Sequence, residues 1–333
     1  MQVTALLDAL GPFEPTPHLA VALSGGADST ALLLLAREWA VQRGGTVSAL
    51  IVDHRLRDDS TDEAKEVAAR LGAIILTPEH PMVSNNLAER AREWRYDALT
   101  AWCRDHHVLH LLVAHHADDQ AETVALHTER GDTEDGASAM AAVTIRDGVR
   151  ILRPLLHIRK SQLEAYLRAH NASWVEDPTN ANLTFKRNAI RHAMTDSEHE
   201  RLIAIAQREG AARAQRDEAH ARAAARVAQA SEDEITLDSA TLLALPQPIA
   251  TRLLADSLCT VSGSHTRPRK HETEGLFARI QQPTFSKATL KHCLIEKRGT
   301  TLHISPEHAE NMDRRASKPL AASPFWWLDS RSF

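Results

Sequence analysis

The chain has 333 residues, of which 43% are hydrophobic and 25% charged, and its formal net charge is −5. These values are ordinary for a globular protein, and the length is sufficient for two domains with full cores. The total charge argues against a strongly basic nucleic-acid binder, although local basic patches can still contact phosphates. No apolar run approaches the roughly 18 residues of a transmembrane helix, so we expect no membrane partner.

The N-terminus and the cysteines indicate a compartment. The first residues contain neither the basic segment nor the cleavage site of a secretory signal. The three cysteines, Cys103, Cys259 and Cys293, are far apart in the sequence and form no CxxC pair, metal-binding spacing or disulfide framework. We therefore expect a cytoplasmic protein.

The first half of the chain alternates predicted strands and helices. The strands are predicted at 18–23, 46–52, 73–77 and 109–114. The helices are predicted at 30–42, 61–71, 87–104 and 118–128. Short apolar strands separated by helices predict a doubly wound parallel sheet, and ligands of such sheets bind beyond the carboxyl ends of the strands.

The alternation stops in the second half. The region 129–150 is predicted to be a loop with a short helix, and two strands are predicted to form a hairpin at 288–296 and 300–305. Further helices are predicted at 160–169, 197–230, 242–258 and 272–280. We therefore predict a first domain over 1–196, a helical linker over 197–232 and an α+β domain over 233–333.

The most informative segment is Ser24-Gly25-Gly26-Ala27-Asp28-Ser29, which follows the first strand and precedes a helix. Glycines let the backbone approach a ligand, and a helix N-terminus offers free N–H groups and a positive dipole to an anion such as phosphate. Asp28 cannot bind a bare phosphate, so its presence indicates Mg2+ between them. The alternative is an ordinary turn with a polar helix cap. An SGGxDS sequence between a strand and a helix is more specific, and it resembles the loop of ATP-pyrophosphatases, which cleave ATP between the α- and β-phosphates.

Two other predicted strands also end in polar residues. Asp53 and His54 follow the second strand, where an acidic residue commonly contacts a ribose; the alternative is a charged loop. His115 and His116 follow the fourth strand and precede Asp119 and Glu122, which share one helix face and form a pocket for an ammonium group or a metal. The alternative is that these acidic residues only stabilise the helix through its dipole. A zinc site would need a third His or Cys at a suitable spacing, and the sequence has none.

Arg92 and Arg95 are one turn apart on the third predicted helix, and they could clamp a phosphate or carboxylate. A solvated basic helix face is the alternative for this pair.

Six motifs occur together in one order: SGGADS, VDHRLR, HHADDQAET, RILRPLL, EDPTN and RNAIR. In order and approximate spacing they resemble bacterial tRNA(Ile)-lysidine synthetases, densely over residues 18–195 and more thinly beyond. That family converts the wobble cytidine of one isoleucine tRNA to lysidine, using ATP to adenylate the cytidine and free lysine to displace AMP. The resemblance implies a five-stranded parallel sheet like that of the adenine-nucleotide α-hydrolases, with a smaller, mostly helical α+β C-terminal domain that binds tRNA.

The resemblance also implies roles for particular residues. The ATP-binding residues would be Ser24, Gly25, Gly26, Ala27, Asp28, Ser29, Asp53, His54 and His115, with Asp28 also holding Mg2+. Asp119 and Glu122 would bind lysine, and Arg92 or Arg95 would neutralise charge on the phosphates or the intermediate. The residues facing a tRNA(Ile) with a CAU anticodon would be Arg153, Arg159, Arg187, Asn188 and Arg191. Relatives of similar architecture suggest a homodimer.

Three alternatives remain at the level of sequence. Another ATP-pyrophosphatase, such as a tRNA thiolase, is disfavoured because the chain has no CxxC pair for sulfur transfer or an iron–sulfur cluster. A non-catalytic tRNA-binding relative is suggested by the acidic segment 132–135, in a loop that departs from the family pattern, and is disfavoured by the complete nucleotide loop. A general nucleotide-binding protein is the fallback.

Overall fold

The computed structural model describes residues 3–55, 60–77, 87–130, 139–175, 190, 193–231, 234–264 and 266–307. The chain divides into two compact units, residues 1–212 and 213–333. The boundary falls inside one helix, Asp196–Val227, in the region where the sequence predicts a helical linker. The limits of that linker, 197 and 232, stay a prediction.

The first unit is built on a sheet that has six strands within the described residues. They are β1 (His18–Leu23), β2 (Thr46–Val52), β3 (Ala73–Leu76), β4 (His110–Leu112), β5 (Val143–Arg146) and β6 (Val149–Leu152). The strand order is β3-β2-β1-β4-β6-β5. The first five strands in that order are parallel, which confirms the expected five-stranded parallel sheet, and β5 adds an antiparallel edge.

Helices cover both faces of this sheet. The helices of the first unit are α1 (Val3–Asp8), α2 (Ala27–Val41), α3 (Ser60–Leu71), α4 (Leu87–Asp105), α5 (Ala117–Arg130) and α6 (Lys160–Ala169). On β1, Val21 packs into a core with Trp39 of α2, whereas its neighbour Ala20 packs into a separate core with Leu99 of α4. Successive side chains of a strand point to opposite faces, so apolar residues at consecutive positions of β1 serve two cores. The sheet is therefore doubly wound, as predicted.

The topology places a crevice beside β1. The chain adds β2 and β3 on one side of β1 and then crosses over to add β4 on the other side. The loops that follow β1 and β4 thus leave the sheet in opposite directions along its width, which opens a space at the carboxyl ends of these strands. Ligands of open α/β sheets bind at this switch point.

The second unit pairs an antiparallel sheet with helices. Its strands are β7 (Ala228–Ala230), β8 (Ile235–Asp238), β9 (Lys287–Leu290), β10 (Cys293–Arg298) and β11 (Thr301–Pro306), in the order β7-β8-β11-β10-β9. With α7 (Asp196–Val227), which enters from the first unit, its helices are α8 (Ser239–Ala244), α9 (Gln247–Ser262) and α10 (Lys270–Ile280). Ile295 and Ile304 pack with Leu254 and Phe277 in the core of this α+β unit.

Four predicted elements differ from the structure. The helix predicted over 197–230 ends at Val227, and the next three residues form β7. The loop predicted over 129–150 contains the hairpin β5–β6, whose turn is Asp147-Gly148. The first strand of the predicted C-terminal hairpin is two strands, because the chain reverses at Lys291 and His292, which both have positive φ. The helix predicted over 242–258 is two helices, interrupted before Pro246, whose ring removes a backbone donor.

Across the described part of the chain, every helix is too short or too polar to cross a membrane.

Candidate active site

The loop after β1 forms a compact turn at the start of α2. The helix begins at Ala27, three residues earlier than predicted, so Asp28 and Ser29 lie in its first turn. Ser29 Oγ accepts a hydrogen bond from the backbone N–H of Ser24 at 3.1 Å and lies 3.1 Å from Ser24 Oγ. These contacts fold the loop over the helix N-terminus, where free N–H groups and the helix dipole favour an anion.

Gly25 is required in this loop for two reasons. Its φ is +85°, a conformation that L-amino acids with side chains rarely adopt. A Cβ atom at this position would lie 2.8 Å from Val67 Cγ2 on α3. The Gly25 carbonyl also accepts a hydrogen bond from the Val175 N–H at 2.9 Å, which holds the loop against the segment that precedes the EDPTN motif.

His116 connects the loop after β4 to the loop after β1. Its imidazole is only 2% exposed. Its Nε2 atom lies 3.6 Å from Asp28 Oδ2 and 3.6 Å from Asp119 Oδ2. The crevice therefore brings Asp28, from the phosphate-type loop, close to Asp119, which was predicted to bind an ammonium group.

The charge state of His116 follows from these neighbours. Burial alone would lower the pKa of this imidazole, but its contacts with the carboxylates of Asp118 and Asp28 and the charge of Asp119 raise its pKa to about 10. His116 is therefore an imidazolium at neutral pH. Burial raises the pKa of Asp118, but the interaction with His116 lowers it more. The pKa of Asp118 therefore lies well below its usual range.

Asp53 is buried and bound by its own chain. Its carboxylate accepts hydrogen bonds from the Arg55 N–H, Ser60 Oγ and Thr61 Oγ1 at 2.9, 3.1 and 2.7 Å. Burial would raise its pKa, but these hydrogen bonds bring a net decrease. The carboxylate joins the end of β2 to the first residues of α3, and its contact with a ribose stays a prediction.

His54 and the arginines of α4 form a second polar group near the end of β2. Arg95 donates from Nε to His54 Nε2, and the Trp94 ring meets the imidazole edge-on with centroids 5.3 Å apart. The guanidinium carbon of Arg92 lies 5.4 Å from the centroid of the Tyr96 ring, within the range of a cation–π contact. Arg92 is exposed and Arg95 is oriented by His54, so both guanidinium groups are available to an anion.

Comparisons with known proteins decide the family. A family model described as a PP-loop domain matches residues 2–198. The tRNA(Ile)-lysidine synthase of Wolbachia pipientis wMel is 34% identical over 330 residues, which cover 93% of this chain and 75% of that protein. The tRNA(Ile)-lysidine synthase of Wolbachia sp. subsp. Brugia malayi (strain TRS) is 34% identical over 329 residues, which cover 92% of this chain and 75% of that protein.

The chain belongs to the tRNA(Ile)-lysidine synthase family. Among solved structures, the U34-tRNA thiolase NcsA from Methanococcus maripaludis matches with 17% identity and a TM-score of 0.49, over 62% of this chain and 76% of that one. That likeness is too remote to bear on function.

Two further predicted residues of this lysidine synthase family member, Glu122 and His115, differ in burial. Glu122 is one helical turn beyond Asp119 on α5 and is only 1% exposed. His115 is partly buried in the loop after β4. Its role in ATP binding and that of Glu122 in lysine binding stay predictions.

The arginines predicted to face tRNA have protein partners where the structure describes them. Arg153 is 9% exposed and donates to the Ala141 carbonyl at 2.8 Å. Arg159 donates from Nε to Asp118 Oδ1 at 2.9 Å. These contacts hold both side chains against the protein, and tRNA binding by them stays a prediction. Arg187, Asn188 and Arg191 lie outside the described residues, as does the acidic segment 132–135.

The sequence places His116 at a strand end but assigns no separate role to it or to Asp118. The motif predicts roles for His115, Asp119 and Glu122, whereas in the structure His116 contacts Asp28 and Asp119, and Asp118 contacts His116. Adjacent histidines at a strand end point in different directions, and the sequence contains no signal for which one faces the crevice. Within the described residues, no group of three or more His, Cys, Asp or Glu side chains is arranged to hold a metal ion.

Proposed function

We propose that this protein is a tRNA(Ile)-lysidine synthase, which ligates free lysine to carbon 2 of the wobble cytidine of a tRNA(Ile) with a CAU anticodon. The observation that carries the proposal is the approach of Asp28 and Asp119 to the same Nε2 atom of His116. A nucleotide-binding loop and a carboxylate suited to an amine thereby adjoin one crevice, as a reaction between ATP and lysine requires. Membership of the PP-loop family implies the use of ATP.

In the first step, the carbonyl oxygen of the cytosine attacks the α-phosphate of ATP. The bond between the α- and β-phosphates breaks, and pyrophosphate leaves. The Ser24–Ser29 loop and the N-terminus of α2 would hold the phosphates through N–H and hydroxyl donors. Arg92 and Arg95 would neutralise charge that develops on the phosphates.

Mg2+ fits this loop by its chemistry. Magnesium prefers oxygen ligands and is usually held by one or two carboxylates together with substrate phosphates and water. Asp28 offers a carboxylate that is 29% exposed beside the helix N-terminus. We assign Asp28 as the residue that would hold the ion, whose contribution is to offset phosphate charge.

In the second step, the ε-amine of lysine attacks carbon 2 of the adenylated cytidine, and the carbon–oxygen bond to AMP breaks. The ε-ammonium group has an ordinary pKa near 10.4, so it must lose a proton before it can attack. Asp119 and Glu122 would orient the ammonium group, and one of them would accept the proton. Free lysine, a cytoplasmic location and a homodimer are parts of this proposal that the family resemblance motivates.

The alternative of a tRNA thiolase is not favoured. The relatives that match most of the chain are named for lysidine synthesis. All three cysteines of the chain are buried, and burial raises the pKa of Cys103 and of Cys293 to about 12. Buried thiols with raised pKa values are poor sulfur carriers.

The test uses unmodified tRNA(Ile) with a CAU anticodon, ATP, Mg2+ and radiolabelled lysine. We expect label to enter the tRNA and AMP to be released in equal amounts, with no incorporation when ATP is omitted. A tRNA(Ile) with a different wobble base is the matched control. Consumption of ATP without lysine incorporation would contradict the proposal.

A further inference from the structure

One buried histidine lies between the two halves of the candidate site, and the inference drawn from it rests on the proposed function. The His116 ring is between the ends of β1 and β4, where three carboxylates from two helices face it. Its Nε2 atom is 3.6 Å from Asp28 Oδ2 on α2 and 3.6 Å from Asp119 Oδ2 on α5. Its Nδ1 atom is 3.3 Å from Asp118 Oδ2.

The position of His116 reduces the repulsion between two carboxylates. Asp28 and Asp119 carry like charges, and their oxygens are at most about 7 Å apart because both lie 3.6 Å from one nitrogen. Like charges at such separations repel each other, and more strongly near a protein surface than in bulk water. The Nε2 group of His116 lies 3.6 Å from both oxygens, where it offsets the repulsion and limits how far either carboxylate can move.

His116 is itself held on its other side. Asp118 Oδ2 accepts from the Lys160 N–H at 2.7 Å, and Asp118 Oδ1 accepts from Arg159 Nε at 2.9 Å. His199 Nε2 also lies 3.3 Å from Asp118 Oδ1. Groups at the starts of α6 and α7 thus fix Asp118, which in turn orients the His116 ring.

Asp119 is connected to His116 by a second contact. The backbone N–H of His116 donates to Asp119 Oδ2 at 3.0 Å, at the N-terminus of α5. The same oxygen therefore faces both the backbone and the ring of one residue. A change of the ring would leave the backbone bond in place and release mainly the constraint between Asp119 and Asp28.

We propose that His116 is a positioning residue that sets the separation between Asp28 and Asp119, with Asp118 orienting its ring. His116 touches no reacting atom in this proposal. It holds the carboxylate on the phosphate side and the carboxylate on the lysine side at the distance that the transfer of lysine to the adenylated cytidine needs.

Two variants of similar shape distinguish the contacts of the two ring nitrogens of His116. In His116→Gln the amide nitrogen lies near the position of Nε2, so a donor to Asp28 and Asp119 is kept. In His116→Asn the amide nitrogen lies near the position of Nδ1, so the donor to Asp118 is kept and the donor between the two carboxylates is lost. His110→Gln is the matched control, because His110 is equally buried at 2% exposure but lies at the opposite end of β4, where it contacts Glu14.

We expect His116→Asn to lower kcat for lysine incorporation by about tenfold to hundredfold, the cost of a misplacement of about 1 Å, and to raise KM for lysine. His116→Gln should stay within about threefold of the unchanged protein, and His110→Gln should match it. The double variant His116→Asn with Asp119→Asn should lose less activity than the two single losses combined, since residues that act as one unit are not additive.

A binding measurement separates this proposal from the proposed function. Calorimetric titration of each variant with ATP and Mg2+ should show weaker binding for His116→Asn alone, by about tenfold, whether or not lysine is transferred. If the unchanged protein binds ATP but incorporates no lysine, the proposed function fails, and the titration still judges the positioning role. Equal ATP affinities and equal KM values for lysine in the Asn and Gln variants would overturn the positioning role.

Discussion

Arg95 donates a hydrogen bond from its Nε atom to Nε2 of His54, with the two nitrogens 3.2 Å apart. The imidazole can accept this bond only when Nε2 carries no proton, so the ring is neutral. Burial lowers the pKa of His54, and the charge of Arg95 lowers it further, to about 4. The sequence predicted His54 and Arg95 as separate contributors, whereas the structure makes them one unit.

The first prediction concerns the titration of His54. Its ring signals in NMR should stay constant between about pH 5 and 8, where an ordinary histidine titrates. Arg95→Gln removes one of the causes of the low pKa and should move the titration toward 6.5, the ordinary value. Comparison with His54→Gln assigns the signals. A His54 signal that titrates near 6.5 in the unchanged protein would contradict the assigned geometry.

The same shift predicts a dependence of stability on pH. The pKa of His54 is about 4 in the folded protein and ordinarily 6.5, so the unfolded chain takes up the proton first as the pH falls. As the pH falls from 6.5 to 4, protonation of His54 in the unfolded chain therefore lowers the free energy of unfolding. Above pH 6.5 this contribution does not change with pH. Denaturant unfolding across this range should show a weaker pH dependence in His54→Gln than in the unchanged protein.

The second prediction concerns Asp28. Asp28→Asn keeps the shape of the side chain and removes the charge assigned to Mg2+ binding, so both ATP-dependent release of pyrophosphate and lysine incorporation should fall by at least about a hundredfold. Asp62→Asn removes an equivalent charge from the first turn of α3, where Asp62 is exposed and pairs with Lys65, and should leave both rates unchanged. Full activity of Asp28→Asn would exclude the assigned role.

Much of the sheet was predictable because its signals are local. The limits of β1 and β2 match the predicted 18–23 and 46–52, since each is an apolar run bounded by residues that break strands. The β5–β6 hairpin was missed although Asp147-Gly148 is a favoured turn pair, and this signal could have identified it. The β9–β10 turn has Lys291 and His292 at positive φ, without the Asn or Gly that ordinarily marks such a turn.

The site was predictable to the level of the loops but not of the contacts. Strand ends alone place Asp28 and Asp119 at one edge of the sheet. The orientation of His116 toward both, and the contact of Arg159 with Asp118, depend on packing between elements distant in sequence. The pattern of a single sequence contains no information on such pairings. An arginine in a charged motif is equally compatible with an internal ion pair and with a contact at the surface.

The third prediction separates the two steps at Glu122. Glu122→Gln keeps the volume of a side chain that is only 1% exposed and removes its capacity to accept a proton. The adenylated tRNA should form at the unchanged rate, and lysine transfer should fall by about a hundredfold to ten-thousandfold, the usual contribution of a general base. Rapid-quench separation of adenylated and lysidine-containing tRNA measures both steps.

The control for Glu122 is Glu164→Gln, which removes a carboxylate that pairs with Arg168 on the surface of α6. This variant should complete both steps normally. A Glu122→Gln enzyme that adenylates tRNA and also completes lysine transfer would remove Glu122 as the base and leave Asp119 as the candidate.

The fourth prediction concerns Gly25 and Val67. Gly25→Ala introduces a Cβ atom 2.8 Å from Val67 Cγ2 and places alanine at φ +85°, so it should lower the melting temperature. Val67→Ala alone should also destabilise the protein, because it removes buried methyl groups beside the loop.

In the double variant the clash is relieved while the backbone strain remains, so the cost of Gly25→Ala should shrink but not vanish. A residual cost of about 1–2 kcal/mol, typical of a left-handed conformation in a non-glycine residue, is the expected result of thermal unfolding of the four proteins. Strict additivity of the two substitutions would show that the loop does not lie against α3.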